Sequence, residues 1–517
     1  MGAEGPGLSD RARRGLSVLA ISLAAAMGVG LAWTLAPDRP RRGAPLPAPP
    51  SAPLPSAVAG PIEPIVPPDV PAPTSPSILL LTLDTTRADH LGTYGYFRDT
   101  SPTLDALAAE SVVFERYLVP MSITLPSHMS VFTSTFPDEH GVVANMAHGG
   151  LRFVPSPQLE SFAQLAAGQG YVTAGIVSSS PLKKYTGIAT GFQQYYEPTG
   201  EARHARETTD LAVEWVKAAP DRPFFLWVHY FDPHWPYNPP PRWSDVFHGK
   251  DADVQAGWLA ERRAVPEDIG LAKVEAKVDK YDAEIRYMDH QIGRLFAALR
   301  AKGGWDDLVV VVVGDHGEGL MQHSYPSHGH VWNEQVNAPF FLRIPEMAAR
   351  RVAEPVSAVD VIPTLLGQID LPEEARFLAQ SSGRDALATA AVPVVFRTSE
   401  IQHDKATDTK FAKPITWGIA DGRWTIHETG GEIDLFDRET DPHELVDVSG
   451  EHPEIAGRLA AELTRRRAEQ VARGQQFGAG ETEALGDAER AALEALGYVD
   501  GEPDEQAPRK QKAPRTR

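Results

Sequence analysis

Two continuous apolar runs, each ended by an aspartate, constrain the fold of this 517-residue chain more than any other feature. The first covers residues 77–83 and ends at Asp84; the second covers residues 308–313 and is followed by Asp315 and His316. Apolar runs without polar alternation predict strands that are buried on both faces of a sheet. Chemistry in such sheets collects at the carboxyl ends of the strands. Asp84, Asp315 and His316 are therefore candidate functional residues.

Helical patterns separate these strands along the chain. Residues 161–168 and 281–302 carry helix signals, and the second segment has apolar residues on one face. The alternation predicts an α/β fold, with a large, mostly parallel sheet flanked by helices over residues 78–400. Short strand patterns and a helix near 453–469 predict a small C-terminal α+β lobe over 401–500. Residues 501–517 are charged and are predicted to be a disordered tail.

The N-terminal residues predict a membrane tether. Residues 1–17 contain three arginines and precede an uncharged run at 18–36, which is about long enough to cross a bilayer. Residues 37–77 are rich in proline and predict an extended linker. We therefore expect a cytoplasmic segment, an uncleaved anchor and a folded domain in the periplasm or at the cell surface. Secretion after cleavage near Ala32 remains the alternative.

Composition excludes several classes of function. The chain has no cysteine, so disulfides, thiolate metal sites and a lipoprotein anchor are excluded. Its net charge of -20 argues against a nucleic-acid partner, because such partners require a basic surface.

The stretch Thr124-Leu125-Pro126-Ser127-His128 predicts a reactive hydroxyl at the start of a helix. Proline suits the first helical turn, where its missing N–H costs nothing. Free N–H groups and the helix dipole there favour an anionic group. Thr124 is therefore a candidate nucleophile; an ordinary N-cap before a buried helix is the alternative interpretation.

Histidines follow two of the predicted strands. The apolar run 223–229 ends at His229 and leads into Asp232-Pro233-His234, and a second group falls between His316 and His330. With the two strand-end carboxylates and the Thr124 hydroxyl, His316 forms a plausible site for Mn²⁺, Zn²⁺, Mg²⁺ or Ca²⁺. The predicted ligands of this divalent metal ion are Asp84, Thr124, Asp315 and His316. His234 and His328 are predicted to bind the oxygens of the ester.

These segments resemble, in order and spacing, the motifs of the sulfatase family within the alkaline-phosphatase-like superfamily. The resemblance covers roughly residues 77–445 and rests on five motifs: residues 81–95, 124–128 with 136–142, 232–237, 314–318, and 435–444. It implies an ester hydrolase in which Thr124 and His128 are catalytic. The resemblance also implies four substrate-binding residues. They are His234, His328, Arg87 and His229.

Four positions depart from the family pattern. Sulfatases carry Cys or Ser where Thr124 stands and oxidise it to formylglycine, so no formylglycine is expected here. Their next conserved arginine is His128 in this chain, their paired metal aspartate is Thr85, and the lysine after the strand near 177 has no clear match. Family members with Thr at the nucleophile position include phosphodiesterases and enzymes that transfer phosphoglycerol or phosphoethanolamine.

The sequence therefore predicts a metal-dependent hydrolase that cleaves a sulfate or phosphate ester through Thr124. Two alternatives remain: a phosphotransferase that acts on envelope glycans or lipids, and a non-catalytic domain that binds glycans. The expected substrate is a sulfated or phosphorylated glycan or lipid, or a small ester. The sequence leaves open the leaving group, the identity and number of the metals, hydrolysis against transfer, and the oligomeric state.

Overall fold

The strands of the computed structural model follow the apolar runs of the sequence. The model describes residues 62–147, 151–399, 401–404, 409–412, 414–478, 481–484 and 486, all within one unit, Ala59–Arg517. The strands are β1 Ile78–Leu83, β2 Val112–Leu118, β3 Leu151–Phe153, β4 Val172–Ile176, β5 Gln194–Tyr196, β6 Phe224–Tyr230, β7 Val309–Gly314, β8 Asn337–Arg343, β9 Arg350–Val352, β10 Val356–Ser357, β11 Val394–Arg397, β12 Ile401–Asp404, β13 Thr409–Ala412, β14 Thr416–Asp421, β15 Trp424–Thr429, β16 Glu432–Asp437 and β17 Thr482–Ala484.

The helices lie between the strands as predicted. They are α1 Pro102–Ala108, α2 Thr124–Thr133, α3 Pro137–His140, α4 Phe162–Gly168, α5 Ala205–Ala218, α6 Ala252–Glu261, α7 Leu271–Lys302, α8 Asn333–Val336, α9 Val361–Leu366, α10 Glu374–Gln380 and α11 Pro453–Phe477. Short 3-10 turns occur at Ala88–His90, Gly92–Tyr94, Ser180–Leu182, Lys184–Thr186, Gln322–Ser324 and Ala358–Asp360. Two helices exceed their predicted bounds: α7 begins at Leu271, before residue 281, and α11 continues to Phe477.

The main sheet is mixed but mostly parallel, which confirms the predicted fold class. Its order is β10-β2-β8-β7-β1-β6-β4-β5, and β9 pairs with β2. The pairs β1–β6, β1–β7, β4–β6 and β4–β5 are parallel, whereas β8 is antiparallel to β7 and to β2. The two predicted strands with terminal aspartates, β1 and β7, are therefore neighbours at the centre of the sheet.

Alternate residues of the central strands enter two separate cores. Leu80, Trp227 and Val311 pack with Leu125 and Phe132 of α2 on one face. Leu81, Val228 and Val312 pack with the apolar residues of α7 on the other face. Both faces of the sheet are thus covered, which explains why these strands read as continuous apolar runs.

The C-terminal lobe contains a four-stranded antiparallel sheet, β11-β14-β15-β16, with α11 packed on it. Its first strand, β11, spans Val394–Arg397, so the lobe begins before the boundary predicted at residue 401. The sequence boundary was placed too late because the pairing is non-local: β11 pairs with β14, and β12 and β13 lie between them along the chain.

The last part of the predicted linker packs on the domain instead of extending from it. Arg222 donates hydrogen bonds to the carbonyl oxygens of Pro68, Val70 and Pro71, and Ile62 and Ile65 pack against the α7 face. This corrects the linker prediction for residues 62–77. The predicted cytoplasmic segment, the anchor at 18–36, the rest of the linker and the tail at 501–517 lie outside the described residues. Within the described residues no helix combines the length and the apolarity that a membrane span requires.

Candidate active site

The carboxyl ends of β1 and β7 place Asp84 and Asp315 at one edge of the sheet. Leu83 is in register with Gly314, and the next residue of each strand is the aspartate. The Asp315 N–H donates to the Leu83 carbonyl oxygen at 3.2 Å, and the Asp84 N–H donates to Tyr230 at 3.0 Å. These bonds continue the sheet pairing into the site and fix the positions of both carboxylates. Both side chains are buried.

Backbone amides orient the Asp315 carboxylate. Its Oδ1 accepts hydrogen bonds from the N–H groups of Thr85 at 3.1 Å and His316 at 2.7 Å. Thr85 adopts a left-handed conformation, with φ of 48°, which is costly for a β-branched residue. Among the described residues, none hydrogen-bonds to the other oxygen, Oδ2. The two backbone amides thus fix the Oδ1 atom of Asp315, and the Oδ2 atom is available to a ligand.

His316 presents a ring nitrogen to the same point. Its Nδ1–H donates to the Gly317 carbonyl oxygen at 2.9 Å, which leaves a lone pair on Nε2. Nε2 lies 3.6 Å from Asp315 Oδ2 and 3.9 Å from Asp84 Oδ1. These three side chains form a buried triad whose ligand atoms lie within 4.8 Å of one another.

The electrostatics of the triad fit a divalent cation. Burial, followed by the charge of Glu318, raises the pKa of Asp84 well above its usual range. Burial, followed by the charge of Asp84, does the same to the pKa of Asp315. Two ionised carboxylates can share this buried position only with a cation between them.

Helix α2 begins at Thr124, and its first turn is joined to the triad. Ser127 Oγ donates to the Asp315 carbonyl oxygen at 2.5 Å, and Asn145 Oδ1 accepts the Leu125 N–H at 2.9 Å. Thr124 is buried and is the first residue of the helix, as the sequence predicts. The N-terminal end of a helix carries a partial positive charge that favours an anionic group there.

His128 has a different role from the predicted catalytic one. Its Nδ1 donates to the carbonyl oxygen of Thr124 at 2.7 Å, and its Nε2 is bonded to Thr82 Oγ1 at 3.0 Å. The Trp227 indole N–H donates to the same hydroxyl at 2.9 Å, so the Thr82 proton is directed to His128 Nε2. Burial lowers the pKa of His128 well below its usual range. Both ring nitrogens are thus occupied, and His128 positions the first turn of α2 instead of accepting the Thr124 proton.

Two predicted substrate histidines lie beside the triad. The ring of His328 is 4.4 Å from that of His316 and 5.3 Å from that of His234, between centroids. His328 Nδ1 lies 3.5 Å from Glu318 Oε1. Burial raises the pKa of the Glu318 carboxyl. The structure therefore brings together residues from the loops that follow β6 and β7, and their substrate role stays a prediction.

Arg87 is not directed to a substrate. Its guanidinium pairs with Asp89 at 2.8 Å and also donates to the Glu318 carbonyl oxygen and to Gln322. The side chain is fully buried. The predicted substrate-binding role of Arg87 is therefore replaced by a structural one, because a neighbour two residues away neutralises its charge.

His229 lies beside the carboxylates of the site. Its Nε2 is 3.5 Å from Asp84 Oδ2, and burial lowers its pKa to about 3. A second group of potential ligand atoms contains His128, His229 and Asp315. The predicted substrate role of His229 thus has no support from its position, which is next to a carboxylate.

Sequence reasoning missed four residues that shape the site: Ser127, Asn145, Ser178 and Glu318. Ser127 and Asn145 fix the first turn of α2, Ser178 bonds to His229, and Glu318 lies beside His328. Only Glu318 has a sequence signal, because it follows Asp315 and His316 at the same strand end.

Comparison of the sequence with known proteins identifies the family to which this chain belongs. The sequence model of the sulfatase family matches residues 76–371, which include every strand of the main sheet. The uncharacterized sulfatase YidJ of Escherichia coli (strain K12) is 22% identical over 422 residues, or 72% of this chain and 82% of that protein. The arylsulfatase of Clostridium perfringens is 23% identical over 373 residues, or 59% of this chain and 77% of that protein.

A solved structure shares the fold. The phosphonate monoester hydrolase of Agrobacterium radiobacter superposes with a TM-score of 0.59 at 20% identity, over 76% of this chain and 96% of that one.

Proposed function

Because this chain belongs to the sulfatase family and is an ester hydrolase, we propose that it is a metal-dependent enzyme with Thr124 as its nucleophile. Its preferred substrates in this proposal are phosphodiesters or phosphonate monoesters, with sulfate esters as poorer substrates. The proposed metal ligands are Asp84, Asp315 and His316, together with the Thr124 hydroxyl.

One observation carries the proposal. Asp84 Oδ1 and Oδ2, Asp315 Oδ2 and His316 Nε2 are buried atoms that lack hydrogen-bond partners among the described residues. Buried polar atoms in native proteins normally have partners, so a convergent set without them is a candidate cation site. Ser127, in the first turn of the helix that begins at Thr124, donates to the Asp315 carbonyl oxygen, and this contact supports the proposal that the Thr124 hydroxyl takes part in the site.

Each residue then has a chemical role. A bound divalent ion would lower the pKa of the Thr124 hydroxyl and offset charge on the ester. Thr124 Oγ forms a bond to phosphorus while the bond from phosphorus to the leaving oxygen breaks, and the hydroxyl proton passes to solvent. His328, oriented by Glu318, gives a proton to the leaving oxygen, and His234 binds a non-bridging oxygen. Water then attacks phosphorus, the bond from phosphorus to Thr124 Oγ breaks, and a proton from the water restores the Thr124 hydroxyl as the phosphate product leaves.

The chemistry of threonine favours phosphorus over sulfur. A formylglycine hydrate releases a sulfate ester by elimination, but oxidation of Thr124 would give a ketone, which does not supply that aldehyde hydrate. A threonyl ester must instead wait for attack by water or another acceptor. Phosphoryl groups undergo such in-line attack when a metal and cationic side chains offset the charge. An acceptor other than water would make the enzyme a phosphotransferase, which is the alternative function.

We test the proposal with the purified full chain on matched aryl sulfate, phosphate monoester and phosphodiester substrates. Phosphodiester turnover is expected to exceed sulfatase turnover, and trapping should leave a phosphoryl adduct on Thr124 that mass spectrometry detects. Thr124→Ala should abolish both. Thr133→Ala is the matched control, because Thr133 lies in the same helix and its hydroxyl bonds locally, to the Met129 carbonyl oxygen and the Thr135 hydroxyl.

Three outcomes would redirect the proposal. Full activity in Thr124→Ala would reduce Thr124 to a helix cap. Transfer of the phosphoryl group to an added alcohol, without release of phosphate, would favour the transferase. Ligand binding without turnover in any assay would favour the non-catalytic, glycan-binding alternative.

We also propose that the chain is tethered through residues 18–36, with its catalytic domain outside the cytoplasm. The support is the uncharged run that follows three arginines. N-terminal sequencing of the mature protein tests this: an N-terminus within residues 33–77 would establish a secreted, cleaved form instead.

A further inference from the structure

We propose that His229 Nε2 is a further ligand of the divalent cation, so that the site selects a transition metal such as Zn²⁺ or Mn²⁺ over Ca²⁺ or Mg²⁺. This inference rests on the proposed metal dependence of the function. His229 lies in a strand, outside the segments that supply the four ligands proposed above.

The alternation of side chains along β6 directs His229 into the site. Phe225 and Trp227 belong to the core that packs under α2, and His229 continues their alternation by one more step. His229 is in register with Thr82 of β1, two residues before Asp84. Because side chains two residues apart share a face of a sheet, His229 and Asp84 lie on the same face. The His229 side chain is completely buried.

The hydrogen bonds of His229 leave its Nε2 with a lone pair. Ser178, which follows β4, donates its hydroxyl hydrogen to the His229 carbonyl oxygen. A serine hydroxyl has one hydrogen, so its oxygen accepts from His229 Nδ1–H, which is 3.1 Å away. The neutral ring then carries no hydrogen on Nε2. A hydrogen bond to the other ring nitrogen commonly fixes a metal-binding histidine in this way.

The distances distinguish a metal ligand from a hydrogen-bond donor. His229 Nε2 is 3.5 Å from Asp84 Oδ2, which is longer than the roughly 2.7–2.9 Å of a charge-assisted hydrogen bond. Two ligand atoms that each lie about 2.1 Å from one tetrahedral ion are about 3.4 Å apart. The separations of His316 Nε2 from Asp315 Oδ2 and Asp84 Oδ1, 3.6 and 3.9 Å, are of the same kind.

The opposite tautomer is the competing account. The Ser178 amide N–H also approaches His229 Nδ1, from 3.4 Å. If that contact set the tautomer, Nε2 would carry the hydrogen, and His229 would position Asp84 without binding metal. The long distance to Asp84 and the occupied Ser178 hydroxyl favour the ligand.

His128 shows what a buried, non-ligating histidine looks like in the same place. Its Nδ1 is 3.7 Å from Asp315 Oδ2, yet both of its nitrogens have hydrogen-bond partners. His229 Nε2, by contrast, has none among the residues that the structure describes.

The ligand set fixes the class of metal. Two imidazoles with two carboxylates suit zinc and manganese, whereas Ca²⁺ and Mg²⁺ prefer oxygen ligands throughout. The second imidazole therefore separates this site from one built of oxygen ligands and a single histidine.

X-ray absorption spectroscopy of the zinc-loaded full chain tests the inference directly, because it counts imidazole ligands. We expect two in the wild type and one in His229→Gln, with a lower zinc affinity in competition with a chelator. Ser178→Ala is a second variant that leaves the imidazole in place, and it should weaken zinc binding by about 10–100-fold. Thermal unfolding of each metal-free variant checks that the fold is kept.

One imidazole in the wild type, or two in His229→Gln, would overturn the inference and leave the proposed ester hydrolysis untouched. A wild type that binds no zinc or manganese would contradict the metal dependence itself, and the inference with it. Two imidazoles in a protein without esterase activity would support the inference while the proposed function failed. The readout is thus independent of turnover.

Discussion

Two buried aspartates of this protein, Asp84 and Asp282, have the same exposure and opposite surroundings. Both are completely buried. Asp282 Oδ1 accepts from His90 at 2.7 Å, and its Oδ2 accepts from Tyr96 and Arg98, each at 2.7 Å. Neither oxygen of Asp84 has a hydrogen-bond partner among the described residues.

The difference separates a structural carboxylate from a functional one. Asp282 neutralises Arg98 and joins α7 to the segment after β1, so its burial is fully compensated inside the protein. Asp84 faces His316, His229 and Asp315 without a hydrogen bond from the described residues, so its buried charge lacks the compensation that the proposed cation would supply. Burial alone therefore does not distinguish a structural carboxylate from a functional one, whereas the hydrogen-bond partners of the carboxylate do.

The largest effect is expected at Asp84. Asp84→Asn removes a charge and a ligand from the site, so turnover should fall by at least about 10³-fold, because a catalytic metal supplies several kcal/mol. The metal-free protein should unfold at the same temperature or above, since a buried unpaired carboxylate is lost. Steady-state kinetics and calorimetry measure both. An Asp84→Asn protein with wild-type turnover would remove Asp84 from the site.

The reverse pattern is expected at Asp282. Asp282→Asn leaves Arg98 and His90 without their shared carboxylate and should destabilise the fold by about 3–5 kcal/mol, the cost of breaking a buried pair. Urea unfolding measures the change, with the exposed Asp306→Asn as a control that should stay within about 0.5 kcal/mol. A variant as stable as the wild type would show that the pairing of Asp282 is not structural.

A smaller effect is expected from pH. The pKa values of Asp84 and Asp315 are raised above the ordinary 3.8 by burial, followed by the charge of a neighbouring carboxylate. The folded state therefore holds these protons longer than the unfolded state does. The contribution of these two carboxyls to the stability of the metal-free protein should therefore be greatest at low pH and should fall as pH rises above about 4, seen as the difference between the wild type and Asp84→Asn.

Chelator-treated samples, unfolded in urea over about pH 4–8, measure this slope. Asp84→Asn should flatten it, and saturating metal should remove it, because the cation favours the ionised carboxylates. A metal-free wild type that gains stability relative to Asp84→Asn over the same range would contradict the arrangement of these two aspartates.

The sequence predicts the residues of this site that directly follow a strand. Asp84, Asp315 and His316 follow apolar runs. The carboxyl ends of neighbouring parallel strands lie side by side at one edge of the sheet, and this does not depend on the conformation of the loops. Thr124 is predicted for a similar reason, since a proline in the first turn locates the helix start. The order of strands, which puts β6 and His229 beside β1, depends on long-range pairing that no local pattern carries.

The predictions that changed are those that depend on the direction of a side chain. His128 was expected to be catalytic, but a histidine four residues along a helix can reach back to the carbonyl of the first turn, and it does so. Arg87 was expected to face substrate, but Asp89 is close enough to hold it. Sequence spacing gives the position of such residues and does not give the partner that each one takes.

The central claim is that the unpaired carboxylates around Asp84 bind a divalent cation, and calorimetric titration of the chelator-treated full chain with zinc or manganese tests it most directly. The account predicts saturable binding to the wild type and to Asp306→Asn, and no detectable binding to Asp84→Asn under the same conditions. Equal binding by Asp84→Asn and the wild type, or no binding by any of the three proteins, would contradict it.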